Sequence, residues 1–140
     1  MDDAPPHRPR DVVAELYRRF EAGRLAETFE LMSPDVLLEE PGDPDVLPWA
    51  GRFRGHPGLE RFYAALSTGL SSIEIDPDSL ELVPLDERRV LALGTERGVA
   101  EATGAPYESR SAWVWTVEDG RITHLRAFHD TAAMAAAIQV

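Results

Sequence analysis

The chain has 140 residues, of which 44% are apolar and 8% aromatic, as expected for one globular domain with its own core. Its 14 basic and 25 acidic residues give a formal net charge of -11, and the arginines are interleaved with acids, so neither nucleic acid nor an anionic membrane is an expected partner. Cysteine and lysine are both absent, which excludes thiolate chemistry, disulfides, lysine Schiff bases and the Walker A lysine. Chemistry must therefore come from carboxylates, histidine, tyrosine, arginine or bound water.

The amino-terminal segment predicts no packed structure. Proline and charge dominate residues 1–10, so we expect a disordered arm there and a single domain over residues 11–140. The chain contains no apolar run that resembles a signal peptide or a membrane span. The expected location is therefore the cytoplasm.

The first half of the chain predicts helices. Apolar residues recur at helical spacing over 11–23, with Asp11 as a possible N-cap, and again over 24–34, where Pro34 ends the pattern. A strand over 35–41 and an irregular, proline-rich loop over 42–55 follow. A third helix is predicted over 56–69.

The second half predicts strands over 71–75, 79–85, 88–98, 106–117 and 121–128, then a short helix over "TAAMAAAI". The triplet "EDG" is typical of a hairpin turn between the last two strands. Helices followed by a strand meander indicate an α+β fold. We expect one sheet of four to six strands, curved around a cavity, whose outer face is covered by a second copy in a homodimer.

Five segments in this order resemble the nuclear transport factor 2-like superfamily, and more narrowly its SnoaL-like branch. They are "ELYRRFEAGRLAETFELMSPDV", "EEP", "GRFRGHPGLERFYA", "VWTVEDGRITHLRAF" and the closing "HD". That branch includes polyketide cyclases and is related to ketosteroid isomerase and limonene epoxide hydrolase. The resemblance covers residues 11–138 and implies a cone-shaped α+β barrel: a curved, mostly antiparallel sheet around three N-terminal helices, with a short C-terminal helix.

The resemblance implies three acid–base residues. Glu40 of "EEP" matches the ketosteroid isomerase base, and its neighbour Glu39 must face the other side of the strand. Asp130 falls where SnoaL-like cyclases carry an acid, although an Asp before "TAAM" is equally an N-cap, and the two roles can coexist. His129 is a candidate acid or orienting group; the alternative is a half-buried side chain at a strand end.

The same comparison implies an apolar or aromatic ligand. Phe62 and Tyr63 match aromatic pocket residues of the third helix, whereas Tyr17 lies one residue from the family's first-helix tyrosine. Trp113 stands where ketosteroid isomerase has its protonated aspartate, so the two-donor oxyanion hole is missing. The remaining predicted ligand-binding residues are Trp49, Leu125 and Ala127. The four histidines are scattered without metal-binding spacing, so neither a metal nor a cofactor is predicted.

Three functions stay open on the sequence. The first is an enzyme that uses cofactor-free proton transfer, a cyclisation or isomerisation, on an apolar carbonyl compound; epoxide opening by activated water is a variant, but its Asp-Arg-Asp set cannot be assembled here. The second is a non-catalytic ligand-binding module. The third is a dimerisation domain. An open cavity that contains Glu40 and His129 would favour catalysis.

Overall fold

The computed structural model describes residues 8–139, and within them the chain forms four α-helices and a curved, unclosed sheet of seven strands. The predicted disordered arm over 1–10 lies mostly outside the described residues. The helices are α1 Pro9–Glu21, α2 Leu25–Thr28, α3 Gly55–Gly69 and α4 Thr131–Ile138. The strands are β1 Met32–Glu40, β2 Gly51–Arg54, β3 Leu70–Ile75, β4 Glu81–Pro84, β5 Arg89–Ala100, β6 Pro106–Glu118 and β7 Arg121–Phe128.

The sheet has the order β2-β1-β7-β6-β5-β3, with β4 also paired to β5. Every pairing is antiparallel except that of β1 with β7. Helix α1 packs across β4 to β7, and α3 packs on β1 to β3, so both lie in the concave face. This arrangement confirms the predicted α+β cone.

The local signals explain most of the element boundaries. Helix α1 buries Val12, Val13, Leu16 and Tyr17 on one face. Asp119 and Gly120 both have positive φ, 53° and 78°, as the two central residues of a type I′ hairpin turn require. The predicted turn at "EDG" is therefore confirmed.

Some predicted boundaries are wrong. Helix α1 begins at Pro9 with Arg8 as its N-cap, so Asp11 lies in the first turn instead. The second helix ends in a 3-10 turn at Leu31, and Met32 already starts β1. In the loop predicted as irregular, Gly51–Arg54 pairs with Leu37–Glu40 as an edge strand, which brings the sheet to seven strands. Pairing across space can recruit a segment whose local sequence is poor in strand signals.

The loop between β1 and β2 folds into the core. Leu47 and Trp49 are buried, and a β-carbon on Gly69 would lie 2.8 Å from the Trp49 ring. A side chain at Gly69 would therefore displace the indole. The glycine at the end of α3 lets Trp49 close one side of the interior.

Candidate active site

A cavity of about 70 Å³ lies between the concave face of the sheet and helices α1 and α3. Most of its wall is aromatic or aliphatic, and its ionisable side chains are Glu40, Glu96, His129 and two tyrosines. Its volume exceeds several-fold the roughly 10–15 Å³ that one water needs. The wall consists of Leu16, Tyr17, Phe20, Met32, Leu38, Glu40, Trp49, Phe62, Tyr63, Leu66, Ile73, Ile75, Glu96, Trp113, Trp115, Leu125 and His129.

Glu40 and His129 form a buried pair in this cavity. Glu40 ends β1, and His129 follows directly after the neighbouring strand β7. Nε2 of His129 lies 3.3 Å from Oε1 of Glu40, and each side chain is only 4% exposed. Burial disfavours the carboxylate and raises the pKa of Glu40, although His129 partly opposes this shift. Burial alone would lower the pKa of His129, but contact with Glu40 and the charge of Glu96 outweigh it and raise that pKa.

Two serines connect His129 to the backbone. Ser111 Oγ lies 2.7 Å from His129 Nδ1 and 2.9 Å from Ser109 Oγ, and Ser109 Oγ accepts from the Asp130 amide at 2.8 Å. The Asp130 amide can only donate, and Ser111 is the one acceptor for the Ser109 hydroxyl within the described chain, so both serine protons are satisfied when Ser109 donates to Ser111 and Ser111 donates to Nδ1. In that arrangement the proton of neutral His129 lies on Nε2, the nitrogen beside Glu40.

Tyr17 provides a hydroxyl that is free to donate. Its oxygen accepts from the Trp115 indole nitrogen at 3.1 Å, and no acceptor for its own proton lies within the described chain. Burial raises the pKa of Tyr17, the Trp115 hydrogen bond opposes the shift, and the charges of Glu96 and Glu40 reinforce it. The hydroxyl therefore stays protonated and can donate to a bound oxygen.

Trp113 narrows the cavity without filling it. Its ring makes edge contacts with Tyr17 and His129, with centroid distances of 5.8 Å and 5.6 Å. Tyr63, also in the wall, shares a 3.0 Å hydrogen bond with Thr28 and stacks on Phe29. Both rings are thus held in place by neighbours, and the cavity that they help to line stays open.

Asp130 lies outside the cavity wall. It is exposed, and its Oδ1 accepts from the Ala133 amide at 2.9 Å, which caps helix α4. Ala127 is buried but is not part of the wall either. The fold therefore brings together Glu40, His129, Tyr17, Trp49, Phe62, Tyr63, Trp113 and Leu125 from the predicted set.

Sequence reasoning missed Glu96, a second carboxylate in the cavity. Glu96 is buried on β5, and its Oε2 accepts from the Tyr107 hydroxyl at 2.7 Å. The alternation of strand β5 was the available signal, because Val90, Ala92 and Glu96 are separated by even numbers of residues and share the inward face.

No three histidine, aspartate or glutamate side chains among residues 8–139 converge as a metal site would require. No helix in that part of the chain is both long and apolar enough to cross a membrane.

Comparison with known proteins confirms the resemblance noted in the sequence. A family model described as a SnoaL-like domain matches residues 13–125. Among solved structures, an NTF2-like protein of unknown function from Burkholderia pseudomallei is 26% identical, covers 92% of this chain and 95% of its own, and superposes with a TM-score of 0.83. An NTF2-like protein from Burkholderia thailandensis is 25% identical, with coverages of 96% and 100% and a TM-score of 0.85.

More distant structures share the fold alone. A proposed polyketide cyclase from Xanthomonas campestris is 19% identical, covers 96% of this chain and 100% of its own, and has a TM-score of 0.78. A search of the curated proteins found no match.

Proposed function

This chain belongs to the SnoaL-like family, and from that premise we propose that it is a cofactor-independent enzyme that transfers a proton on a small, largely apolar carbonyl compound. The observation that carries the proposal is the Glu40–His129 pair, 3.3 Å apart and buried in an otherwise apolar cavity. Desolvation makes a carboxylate a stronger base. Apolar side chains of similar volume often stabilise a fold at least as well as a buried ion pair, so chemistry explains this pair better than stability does.

In the proposed reaction, Glu40 removes a proton from the carbon next to the carbonyl group. The electron pair of that C–H bond forms the carbon–carbon double bond of an enolate, and the carbonyl oxygen becomes negative. Tyr17 donates its free hydroxyl proton as a hydrogen bond to this oxygen. In an isomerisation, Glu40 then returns the proton to another carbon of the enolate. In a cyclisation, the enolate carbon forms a bond to the carbon of a second carbonyl group, whose π electrons move to its oxygen, and this oxygen takes the proton from Glu40.

His129 serves as the orienting partner of Glu40. With its proton on Nε2, it faces one carboxylate oxygen and leaves the other available to the substrate. Ser111, at Nδ1 and itself in contact with Ser109, keeps the ring in this orientation. Asp130 has no part in this scheme because its carboxylate is bound to the α4 backbone.

Deuterium exchange tests this proposal without knowledge of the natural substrate. Acetophenone, cyclohexanone and β-tetralone are incubated with the protein in D2O, and loss of the α-proton signals is followed by NMR. We expect the wild type to exchange the α-protons faster than buffer alone does. Glu40→Gln should lower this enzymatic rate by about 10²–10⁴-fold. Tyr17→Phe should lose about 10²-fold, because one oxyanion donor is removed.

Glu39→Gln is the matched control, since Glu39 is the adjacent carboxylate on the outer face, paired with His124 at 2.6 Å. It should exchange protons at the wild-type rate. The proposal fails if the wild type accelerates none of these exchanges, or if Glu40→Gln is as fast as the wild type.

A non-catalytic binding module is the second candidate. Trp113 favours it, because this residue forms part of the cavity wall at the position where ketosteroid isomerase has its protonated aspartate, so the second oxyanion donor is missing. Binding of the three ketones that is equal in wild type and Glu40→Gln, with no exchange in either, would support this candidate.

The outer face of the sheet supports a homodimer. Leu93 and Phe128 are exposed there, on either side of Ala112, to which both are paired in neighbouring strands. A second copy would remove this apolar row from water.

A further inference from the structure

Glu96 is held in the cavity wall by a neighbour that needs a glycine. Tyr107 on β6 pairs with Gly98 on β5, and a β-carbon on Gly98 would lie 2.3 Å from the Tyr107 ring. The missing side chain lets the ring lie across β5. Its hydroxyl then reaches Glu96 Oε2 at 2.7 Å, two residues away on the same strand face.

The hydrogen bond has a defined direction. Burial, followed by the charge of Glu96, raises the pKa of Tyr107. The hydroxyl therefore keeps its proton and donates a hydrogen bond to Glu96. Oε1 of Glu96 makes no hydrogen bond within the described chain, where every fully buried side-chain oxygen or nitrogen has a partner. Oε1 is therefore not fully buried, and because Glu96 lines the cavity, Oε1 is the Glu96 oxygen left to accept a hydrogen bond from a ligand there.

The charges in the cavity wall have one dominant sign. Two carboxylates, Glu40 and Glu96, face a single histidine, and no arginine belongs to the wall that the described residues form. An anionic ligand would be desolvated next to like charges. A ligand hydroxyl or ammonium group would instead find an acceptor in Oε1, and the aromatic wall also favours a cation.

We propose that Glu96, positioned by Tyr107 across Gly98, anchors a hydrogen-bond donor on the ligand, so that the cavity takes apolar ring compounds bearing a hydroxyl or ammonium group and rejects carboxylates. This inference rests on the proposed function, because it assigns a specificity to the same cavity. Glu96 binds the ligand at a distance from the reacting carbon, whereas Glu40 acts on that carbon.

Binding of four matched compounds tests the inference. Phenethyl alcohol, phenethylamine, ethylbenzene and phenylacetate share one ring and differ at the end of a short chain. Their affinities follow from quenching of tryptophan fluorescence, since Trp113 and Trp115 line the cavity. We expect the amine and the alcohol to bind at least about tenfold more tightly than phenylacetate, because they can donate to Glu96, whereas phenylacetate has no donor and brings a like charge beside Glu40 and Glu96.

Variants assign the preference to Glu96. Glu96→Gln should weaken the amine about tenfold and leave ethylbenzene nearly unchanged. Tyr107→Phe should weaken the amine and the alcohol but not ethylbenzene, because it frees Glu96 without removing it. Glu101→Gln, at an exposed carboxylate in the β5–β6 turn, is the control and should bind all four compounds as the wild type does.

Three results would overturn the inference: phenylacetate binding as tightly as the amine, Glu96→Gln weakening amine and ethylbenzene equally, or no binding of either donor compound. Thermal unfolding of each variant shows whether it is folded. Because binding is measured without turnover, donor selectivity together with absent deuterium exchange would contradict the enzyme proposal alone. Exchange without donor selectivity would contradict the Glu96 assignment alone.

Discussion

At the scale of single residues, two glutamate–histidine pairs lie on opposite faces of one sheet, and the pKa values of their glutamates are shifted in opposite directions. Glu40 and His129 lie inside, whereas Glu39 and His124 lie outside at 2.6 Å. The hydrogen bond from His124 lowers the pKa of Glu39, and burial raises that of Glu40. Side chains alternate between the two faces along the adjacent strands β1 and β7, so one pair is buried and the other is partly exposed to solvent. This difference in burial underlies the opposite pKa shifts of the two glutamates.

The buried pair makes stability depend on pH. Both pKa values are raised, that of Glu40 from 4.5 and that of His129 from 6.5. The folded protein therefore binds more protons than the unfolded chain above each of these values, and its stability falls as pH rises through each folded-state pKa. Urea titrations at several pH values above 4.5 should show the free energy of unfolding fall with rising pH in the wild type, and fall less in Glu40→Gln. Parallel curves for the two proteins would contradict the assignment.

At the scale of secondary structure elements, Asp130 ends β7 and starts α4. Its carboxylate is bound to the Ala133 amide, so Asp130→Ala should cost about 0.5–2 kcal/mol of unfolding free energy and leave α-proton exchange unchanged. Asp130→Ser, which retains a capping oxygen, should restore most of that stability. Loss of exchange in Asp130→Ala without loss of folded protein would show that the residue acts in catalysis.

Strand β5 contains two glycines that face different neighbours. A methyl group on Gly98 would collide with the Tyr107 ring at 2.3 Å, whereas on Gly94 its nearest contact is 3.4 Å, to Leu80. Gly98→Ala should therefore destabilise the fold by about 1–3 kcal/mol through overpacking. Gly94→Ala is the control and should be close to neutral. Equal denaturation midpoints for both variants would show that Tyr107 moves aside at no cost.

At the scale of the whole molecule, the outer sheet face should join two copies. Light scattering after size-exclusion chromatography should give the mass of a dimer, because the exposed row of Leu93 and Phe128 is then buried. Phe128→Glu should shift the protein towards monomer. Leu85→Glu, at an equally exposed leucine after β4, should leave the dimer intact. A wild-type monomer would rule this interface out.

The sequence by itself determined most of the elements and their order, although it did not predict the edge strand β2. Alternation along β6 predicts that Trp113 and Trp115 share a face, and the helical spacing of Val12, Val13 and Leu16 predicts a buried stripe on α1. Glu40 could be chosen over Glu39 because the family resemblance matches it to a base before a proline. These signals lie in the local sequence pattern, and the residues that carry them are buried in the folded chain.

Only the tertiary structure decided which polar groups meet. Ser111 reaches His129, and Ser109 reaches the Asp130 amide, because β6 pairs with β7. Glu96 meets Tyr107 because β5 pairs with β6. Whether Asp130 points inward or caps α4, and whether Trp113 fills the cavity, depends on side-chain directions set by packing partners distant in sequence. The hydrogen bonds of Glu96, Ser111 and Ser109 join residues 11, 18 and 21 positions apart, and no local propensity encodes them.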